Sequence, residues 1–522
     1  MKKILLYLLV GVLFIMSGCK TNDNQKKDSE ISEKLTEMQK LMAEKAIKMP
    51  TENNPVIAYK FGADPAVLVY KDTAYLYATN DMQQFEFSKG KIENNYGKIA
   101  SLNIFSSKDL VNWTNHGEIQ VAGKSNPQAA ARWANNSWAP AVAWKNIDGK
   151  DKFFIYFADN GSGIGVLVGD SPIGPFVDPL KKQLISRQTP NCANVTWLFD
   201  PAVFVDDDGR AYIYFGGGHN PDNAANPKTA RCVELGDDMI SIKGEPQVID
   251  PPFLFEDSGI HKYKDTYYYT YCTNWVDRKN YDTDVPVAVI GYMTSKNPLG
   301  PFEYKGWTLP NPGGAPLFAG GNNHHWVFNF KDRWYIAYHA PTVEKNLPTE
   351  KKGYRNLFID EFKINEDLSL PHQRITKEGV KQVQNFNPTE EIPAATFAYS
   401  RNIAVSNDNT IISVKEDGYV CIKSVEFPSA NCEITIKYTP VNNNKEIIVK
   451  TGSFGANGTE IGKVKLSSKG VSEAKLTISK DALTSDLFLV LPENCELISW
   501  QIKQKIFESV IQKIKIRRVK GR

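Results

Sequence analysis

The sequence predicts an all-β protein in which a five-bladed β-propeller is followed by a β-sandwich of the jelly-roll kind. One pattern occurs five times: an acid or a histidine, an apolar run, a polar turn and an aromatic-rich strand. Repeats built from short strands are typical of propeller blades, because one small sheet cannot bury both of its faces alone. After residue 385 the pattern changes to short alternating strands separated by Asn, Gly and Pro, which is typical of a sandwich.

The N-terminus predicts export. Lys2 and Lys3 precede an apolar run that is too short for a stable membrane-spanning helix but suits the core of a signal peptide. The run ends in Ile-Met-Ser-Gly-Cys, which resembles a bacterial lipobox and implies cleavage before Cys19 and acylation of that residue. We therefore expect a lipoprotein signal over residues 1–19, and an exported protein that is held at the outer membrane, either on the cell surface or on the periplasmic side. An ordinary signal peptide with an incidental cysteine is the alternative.

Residues 20–52 are predicted to form a tether between the lipid anchor and the folded protein. The first part is polar and has the composition of a disordered segment. The second part has helical composition, with a stripe of apolar residues along one face that is expected to pack on the protein or to fray.

The predicted propeller covers residues 53–385. Each repeat contains two strands joined by a turn, and the starts of the five repeats are Ala63, Ala139, Asp200, Glu256 and Asn322. The innermost strand of each blade lines the central channel of a propeller, so residues that open the repeats are expected to face one another. Asp64, Asp200, Glu256 and His324 then converge from distant parts of the chain. Three carboxyl groups at one place repel each other, which points to catalysis rather than to folding.

Five short motifs resemble the landmarks of glycoside hydrolase family 43, in the same order. They are Phe61-Gly62-Ala63-Asp64-Pro65, Trp138-Ala139-Pro140, Phe199-Asp200-Pro201-Ala202, Phe255-Glu256-Asp257-Ser258 and Asn323-His324-His325. Gly353-Tyr354-Arg355 is similar to the arabinoxylan-directed members. The resemblance implies a five-bladed propeller and inverting hydrolysis of arabinofuranosyl or xylosyl linkages.

Inverting hydrolysis needs one ionised carboxylate that activates water and one protonated carboxyl that protonates the leaving oxygen. The resemblance assigns Asp64 as the general base, Glu256 as the general acid and Asp200 as the residue that orients the acid and tunes its pKa. Capping of strands by the two aspartates and a solvated Glu256 are the structural alternatives.

The resemblance also suggests contacts with sugar and metal. His324 is the candidate ligand of a mostly hydrated Ca²⁺, since calcium prefers oxygen ligands; a buried histidine without metal is the alternative. Neighbouring His325, together with Trp138, Trp197 and Arg355, is a candidate for substrate contact, although each tryptophan is equally well explained as core. No organic cofactor is expected.

Residues 393–504 resemble a family 6 carbohydrate-binding module. The aromatic loop that such modules commonly use is missing, because the matching stretch reads SSKGVSEAKLTIS, and Trp500 belongs to the last strand and is expected to pack inside. Sugar binding and bracing of the propeller both stay open as roles. The basic tail over residues 505–522 receives no predicted function.

Composition and motifs together favour a polysaccharide-degrading enzyme. The formal net charge of +3, from 62 basic and 59 acidic residues, gives no sign of a nucleic-acid surface. The expected substrates are arabinoxylan, arabinan and xylo-oligosaccharides, and α-L-arabinofuranosidase activity is the first expectation. A β-xylosidase, an endo-arabinanase and a non-catalytic glycan-binding lipoprotein are the alternatives, and retention of the three acids argues against the last.

Overall fold

The computed structural model describes residues 30–313, 317, 320–349, 352–441, 445–452 and 458–504. Over these ranges the protein is built almost entirely of β-strands, so the all-β prediction is confirmed. Two α-helices lie wholly within the described ranges, α1 (Glu37–Lys45) and α2 (Asp81–Ser88), and residues 30–33 are helical as well. Short 3₁₀ turns cover Pro221–Asn223, Arg278–Asn280, Val343–Asn346 and Lys480–Ala482. The predicted signal peptide with Cys19 and the tail over 505–522 lie outside the described residues. Within the described part, no helix is long and apolar enough to cross a bilayer.

Five antiparallel sheets follow one another along residues 63–361. Strands are numbered in chain order, and neighbours in sequence pair as neighbours in each sheet. The first sheet contains β1 (Ala63–Tyr70), β2 (Thr73–Thr79), β3 (Ser101–Ser107) and β4 (Trp113–Gln120), and the second contains β5 (Trp138–Ile147), β6 (Lys150–Ala158), β7 (Ile164–Gly169) and β8 (Phe176–Val177).

The other three sheets have the same layout. The third contains β9 (Ala202–Val205), β10 (Ala211–Phe215), β11 (Ala230–Leu235) and β12 (Ile242–Ile249). The fourth contains β13 (Leu254–Tyr263), β14 (Thr266–Thr273), β15 (Ile290–Ser295) and β16 (Glu303–Leu309). The fifth contains β17 (His325–Phe330), β18 (Arg333–Ala340) and β19 (Asn356–Glu361).

The first strands of the five sheets contact one another in the order β1, β5, β9, β13 and β17, and β17 in turn contacts β1. Each neighbouring pair of sheets shares an apolar cluster, so every sheet buries side chains against two neighbours. Full burial of one such aliphatic or aromatic side chain stabilises the fold by about 1.5–3 kcal/mol. This packing brings together the N-terminal ends of the five first strands, which come from residues far apart in the chain.

The C-terminal part contains two more antiparallel sheets. One is formed by β23 (Ile403–Val405), β24 (Ile411–Ser413), β31 (Glu496–Gln504), β26 (Asn431–Tyr438) and β29 (Val471–Thr477), with β20 (Ile392–Pro393) added beside β31. The other is formed by β22 (Tyr399–Arg401), β25 (Gly418–Glu426), β30 (Thr484–Leu491), β27 (Glu446–Thr451) and β28 (Thr459–Lys465). The two sheets share one apolar cluster, and Trp500 is buried in it, as the sequence predicts.

A short strand links the two parts of the protein. β21 (Thr396–Phe397) pairs antiparallel with the outer strand β4 of the first sheet, so that Thr396 lies opposite Thr114. The backbone N–H of Asn115 also donates to the carbonyl of Ala395 at 3.0 Å. The C-terminal part is therefore joined to the first sheet by backbone hydrogen bonds as well as by the chain.

The described half of the predicted tether packs against the protein. Helix α1 begins with a capping box in which the Thr36 hydroxyl and the Gln39 side chain satisfy each other's backbone N–H groups. Ile31 and Met42 are buried, and the Lys34 ammonium lies 2.7 Å from the buried carboxylate of Glu496. Ile31 packs in an apolar cluster with the C-terminal sheets, whereas Met42 packs in a cluster with residues of the five-sheet part. Residues 31–46 are therefore fixed against both parts of the protein, so this stretch does not act as a free spacer.

Candidate active site

A cavity of about 310 Å³ lies where the N-terminal ends of the five first strands meet. It is lined by Asp64, Thr79, Tyr96, Trp138, Ala139, Asn160, Gly161, Trp197, Phe199, Asp200, Phe255, Glu256, Asn322, His324 and Arg355. The structure thus brings together every candidate catalytic, metal and substrate residue of the folded part except His325.

The backbone at the strand starts has an unusual conformation. Asp64, Ala139 and Asp200 have φ angles of 49°, 38° and 48°, and each precedes a proline. Positive φ is unfavourable for residues with a side chain, and such strained residues concentrate at functional sites. The second sheet keeps this conformation without an acid, and its Ala139 N–H donates to the Thr79 hydroxyl at 2.8 Å. The positive φ before proline is therefore a feature of the strand starts themselves. In the first and third sheets the residue with this conformation is an aspartate.

Asp64 is held as an anion by cationic and polar neighbours. Its Oδ1 accepts a hydrogen bond from Arg355 Nη1 at 2.8 Å, and its backbone N–H donates to His339 Nδ1 at 3.0 Å. Burial alone raises the pKa of the Asp64 carboxyl, but the charges of Arg355 and His324 outweigh it and hold that pKa below its usual value. Asp64 is ionised at neutral pH, as a group that accepts a proton from water must be.

Arg355 is fixed by a second buried aspartate. Asp81, the first residue of α2, accepts hydrogen bonds from Arg355 Nε at 2.9 Å, from Nη2 at 2.8 Å and from its backbone N–H at 3.1 Å. The guanidinium also lies over the ring of Tyr96, 4.9 Å from its centroid. Arg355 is thus held between two carboxylates, and its position relative to Asp64 is set by α2. No motif in the sequence singles out Asp81, although this residue closes the first repeat.

Glu256 lies in the opposite electrostatic surroundings. Its side chain is buried, and Oε1 has no hydrogen-bond partner among the described residues. Burial raises the pKa of the Glu256 carboxyl well above its usual value, and the carboxyl groups of Asp200, Asp64 and Asp257 raise it further. These surroundings therefore favour the protonated form of Glu256 over its anion.

Asp200 lies between the base and the acid candidates. Its Oδ2 accepts a hydrogen bond from the backbone N–H of Asp257 at 3.1 Å. Burial, and then the nearby charges of Asp64 and Asp257, raise the pKa of Asp200 well above its usual value. A negative charge on either Asp200 or Glu256 therefore disfavours ionisation of the other.

His325 does not line the cavity. Its Nδ1 lies 2.6 Å from Asp257 Oδ2, and its Nε2 lies 2.7 Å from the hydroxyl of Thr270. Both ring nitrogens are thus used inside the protein, so the structure gives His325 a supporting contact with Asp257 instead of the predicted contact with substrate. Asp257, which appears in the fourth motif without a role, connects this histidine to Asp200.

His324 occupies the centre of the acidic group. Its Nδ1 lies 3.6 Å from Asp64 Oδ1 and 3.9 Å from Asp200 Oδ2, and its Nε2 lies 3.2 Å from Asp257 Oδ1. No three His, Cys, Asp or Glu side chains of the described ranges are arranged to hold a metal ion. This donor set fits calcium only as an ion that keeps most of its waters, with His324 as the residue that would hold it.

Two tryptophans form aromatic walls of the cavity. Trp138 is half-buried and its indole N–H donates to the carbonyl of Tyr96 at 3.1 Å. Trp197 is half-buried as well, and its ring meets Phe199 and Phe255 edge-on, with centroids 5.3 and 5.2 Å apart. These contacts hold both indole rings at the cavity, where the apolar face of a sugar can stack on them.

The family model of glycosyl hydrolases family 43 matches residues 52–368. This range spans more than half of the chain and includes every residue that lines the cavity. The chain belongs to glycosyl hydrolase family 43.

Two curated relatives of this family 43 hydrolase align over most of it. An arabinoxylan arabinofuranohydrolase of Paenibacillus polymyxa is 40% identical over 500 residues, covering 91% of this chain and 78% of the relative. One of Bacillus subtilis (strain 168) is 44% identical over 394 residues, covering 72% of this chain and 76% of the relative.

A solved structure is similar as well. The crystal structure of a glycoside hydrolase family 43 arabinoxylan arabinofuranohydrolase from Bacillus subtilis, in complex with cellotetraose, superposes with a TM-score of 0.81. It is 40% identical, and the alignment covers 89% of this chain and all of the other. The similarity therefore extends beyond the five sheets of the catalytic part of this family 43 enzyme into its C-terminal sheets.

Proposed function

We propose that this family 43 hydrolase removes α-L-arabinofuranosyl groups from arabinoxylan by inverting hydrolysis. The observation that carries the reaction is that one cavity contains two carboxyls in opposite surroundings. The pKa of Asp64 is held below its usual value, and the pKa of Glu256, whose Oε1 is unpaired among the described residues, is raised well above its usual value. The substrate is supported by the arabinoxylan arabinofuranohydrolases to which the chain is similar over most of its length.

In the proposed reaction, Asp64 takes a proton from a water molecule while the oxygen of that water attacks the anomeric carbon. The bond from this carbon to the glycosidic oxygen breaks, and Glu256 gives its proton to the departing oxygen. The sugar leaves with inverted configuration. Asp64 is then protonated and Glu256 ionised, and proton exchange with solvent restores both.

The neighbours of the two carboxyls have distinct proposed roles. Arg355, fixed by Asp81, stabilises the anion of Asp64 and holds it in one orientation. Asp200 raises the pKa of Glu256 through its nearby carboxyl and so keeps the acid protonated. Trp138 and Trp197 hold the sugar ring by stacking.

The size of the cavity favours removal of single side groups. A volume of about 310 Å³ lies at the lower end of the range of about 300–1,000 Å³ that is usual for small-molecule sites. Such a cavity suits one pentose, with the polymer lying outside. This supports a debranching activity over cleavage within a chain.

We also propose that the five sheets are the blades of a five-bladed propeller over residues 53–385 and that the C-terminal sheets over 393–504 form a sandwich of the family 6 carbohydrate-binding type. The cyclic order of contacts among the five first strands supports the propeller. The core shared by two antiparallel sheets supports the sandwich. Sugar binding by this sandwich is tested by expressing it alone and measuring its retention in an arabinoxylan gel.

Export as a lipoprotein anchored through Cys19 remains a proposal that rests on the sequence of residues 1–19. Replacing Cys19 by Ala is expected to release the protein from the membrane fraction and to abolish incorporation of labelled palmitate. Unchanged membrane association of C19A contradicts the lipid anchor.

A hydrated Ca²⁺ held by His324 is proposed as well, and when bound it supplies positive charge beside the acidic group. The melting temperature of the wild type is expected to fall on treatment with a chelator and to recover with calcium. His324→Ala is expected to remove this response. An equal response in both proteins places any calcium elsewhere.

The activity is tested with the purified protein from residue 21 onward. Arabinoxylan, arabinan and xylo-oligosaccharides are incubated with the wild type and with Glu256→Gln, and released sugars and their anomers are identified. We expect arabinose from arabinoxylan, formed with inversion and lost in E256Q, whereas the exposed control Glu366→Gln stays active. Xylose as the product supports a β-xylosidase, and binding without release supports a glycan receptor.

A further inference from the structure

A second cavity lies at the opposite ends of the same five first strands. It has a volume of about 260 Å³ and is lined by the C-terminal halves of β1, β5, β9, β13 and β17. Val205 of this cavity ends β9 and follows Asp200 of the active site by five residues, which corresponds to roughly 17 Å of extended chain. The two cavities therefore open at different faces of the protein.

Large aromatic side chains dominate the wall of the second cavity. Trp144, Phe204, Trp326 and Trp334 line it, so three of the ten tryptophans of the protein are gathered here. Trp144 is 38% exposed, and the other three rings are half-buried. Exposed aromatic surface inside a concavity is a feature of ligand-binding sites, since a folded protein gains nothing by leaving it in water.

A buried histidine also lines this cavity with its hydrogen-bonding capacity unused. His261 is 4% exposed, and neither ring nitrogen has a partner among the described residues. Its ring stacks on Tyr268 with centroids 4.8 Å apart and planes 3° apart, so its orientation is fixed. Burial, with a smaller contribution from the charge of His325, lowers the pKa of His261 to about 3. Since both ring nitrogens are buried as well, His261 contributes to this cavity as a neutral, rigid part of its aromatic wall.

The cavity continues into a wider groove of about 550 Å³ that shares Phe204, Trp334 and Asn329 with it. The groove adds charges of both signs, from Lys262, Lys264, Asp207 and Asp332. Lys262 Nζ already bonds Asp207 at 2.9 Å, so its charge is compensated. With charges of both signs along it, the groove selects neither an anion nor a cation and suits a neutral, polar ligand.

We propose that this aromatic groove, formed by Trp144, Phe204, Trp326, Trp334, His261 and Asn329, is a non-catalytic binding site for a neutral β-linked pyranose chain. The apolar faces of pyranose rings stack on the indoles, and ring hydroxyls bond to the exposed side chain of Asn329. The identity of that chain as the xylan backbone of arabinoxylan rests on the proposed function. The site retains the polymer while the cavity with Glu256 acts on its side groups.

The test separates polymer binding from turnover. Trp144→Ala and Trp334→Ala are made in the E256Q protein, and their dissociation constants for arabinoxylan are measured by affinity gel electrophoresis. Loss of one stacked ring is expected to weaken binding by on the order of tenfold. Phe87→Ala, which removes an aromatic ring that is 60% exposed elsewhere, is the matched control and is expected to bind as E256Q does.

The same two substitutions in the active protein are expected to leave hydrolysis of a small aryl arabinofuranoside unchanged. Failure of the proposed function appears as absence of this hydrolysis in the wild type, whereas failure of the groove appears as unchanged polymer binding in both variants. If Trp334→Ala lowers the melting temperature, the proposal is judged on the arabinoxylan affinity of Trp144→Ala, because Trp144 is more exposed. Crystals of E256Q soaked in xylohexaose give a second readout. Sugar density beside Trp144 supports the groove, and density confined to other places overturns it.

Discussion

Asp64 and Glu256 lie in one cavity, and they are exposed to almost the same extent, 5% and 8%. Asp64 contacts the guanidinium of Arg355, whereas Glu256 has three carboxyl groups nearby and an unpaired Oε1 among the described residues. Burial alone raises the pKa of both groups, so burial does not distinguish them. Cationic neighbours, Arg355 first among them, lower the pKa of Asp64, whereas neighbouring carboxyls raise the pKa of Glu256. The charges around the two groups, and not their burial, therefore set their pKa values apart, which is the separation that the proposed base and acid require.

The largest expected effect is the loss of activity when Asp64, the proposed base, is replaced. Asp64→Asn keeps the shape of the side chain but removes the group that accepts the proton of water. We expect kcat on arabinoxylan to fall by about 10²–10⁴-fold with little change in melting temperature. Asp72→Asn, an exposed position in the turn after β1, serves as the control and is expected to stay fully active. Retention of more than a tenth of the activity in D64N contradicts the assignment of the base.

The next effect concerns stability. Arg355→Ala leaves the buried carboxylates of Asp64 and Asp81 without their cationic partner, and removal of one member of a buried ion pair costs about 3–5 kcal/mol of the free energy of unfolding. Urea denaturation measures this loss. Arg210→Ala, whose exposed side chain pairs with Asp208, is expected to change stability by only about 0.5 kcal/mol. Similar losses in the two variants would mean that Arg355 does not compensate the buried acids.

A smaller effect tests whether Asp200 raises the pKa of Glu256, the proposed acid. Glu256 acts while it is protonated, so activity falls as pH rises through its pKa. Asp200→Asn removes a negative neighbour, which lowers that pKa and moves the basic limb of the kcat/KM profile to lower pH by about one unit. The pH at which kcat/KM falls can be measured even if D200N is slower than the wild type at every pH. Asp207→Asn, on the surface, is the control and is expected to leave this pH unchanged. A limb that stays in place would show that burial alone keeps Glu256 protonated.

The smallest expected effect concerns Trp197, an uncharged aromatic wall of the cavity. Trp197→Ala removes one aromatic wall and is expected to raise KM for arabinoxylan by roughly fivefold, the equivalent of about 1 kcal/mol of stacking. The pH profile is expected to stay unchanged, because no charge is altered. Trp197→Phe keeps a ring and is expected to lie near the wild type. Equal KM values for the Ala and Phe variants argue against stacking.

The sequence was sufficient to predict the strand starts and the meeting of Asp64, Asp200, Glu256 and His324. This worked because the five repeats place equivalent residues at equivalent ends of their first strands, so the repeat itself encodes the convergence. The resemblance to family 43 made Arg355 a candidate for substrate contact only. Its hydrogen bond to Asp64 was not predicted, since no local pattern connects residues 64 and 355.

Asp81 and the supporting position of His325 could not be predicted in the same way. Asp81 begins a helix between β2 and β3, and its contact with Arg355 depends on how the first and fifth sheets pack, which no local pattern reports. His324 and His325 are adjacent, and adjacent residues of a strand point to opposite sides. Only the register of β17 against β18 decides which imidazole reaches the cavity.

The pairing of β21 with β4 bears on how this protein can be divided. A catalytic fragment that stops at residue 385 leaves the outer edge of β4 without its partner and open to other chains. A fragment that continues through Phe397 retains its own edge cover. An exchange of the C-terminal part for another domain should therefore place the junction after β21. The two parts are joined by a hydrogen-bonded strand pair, and not only by the linker between them.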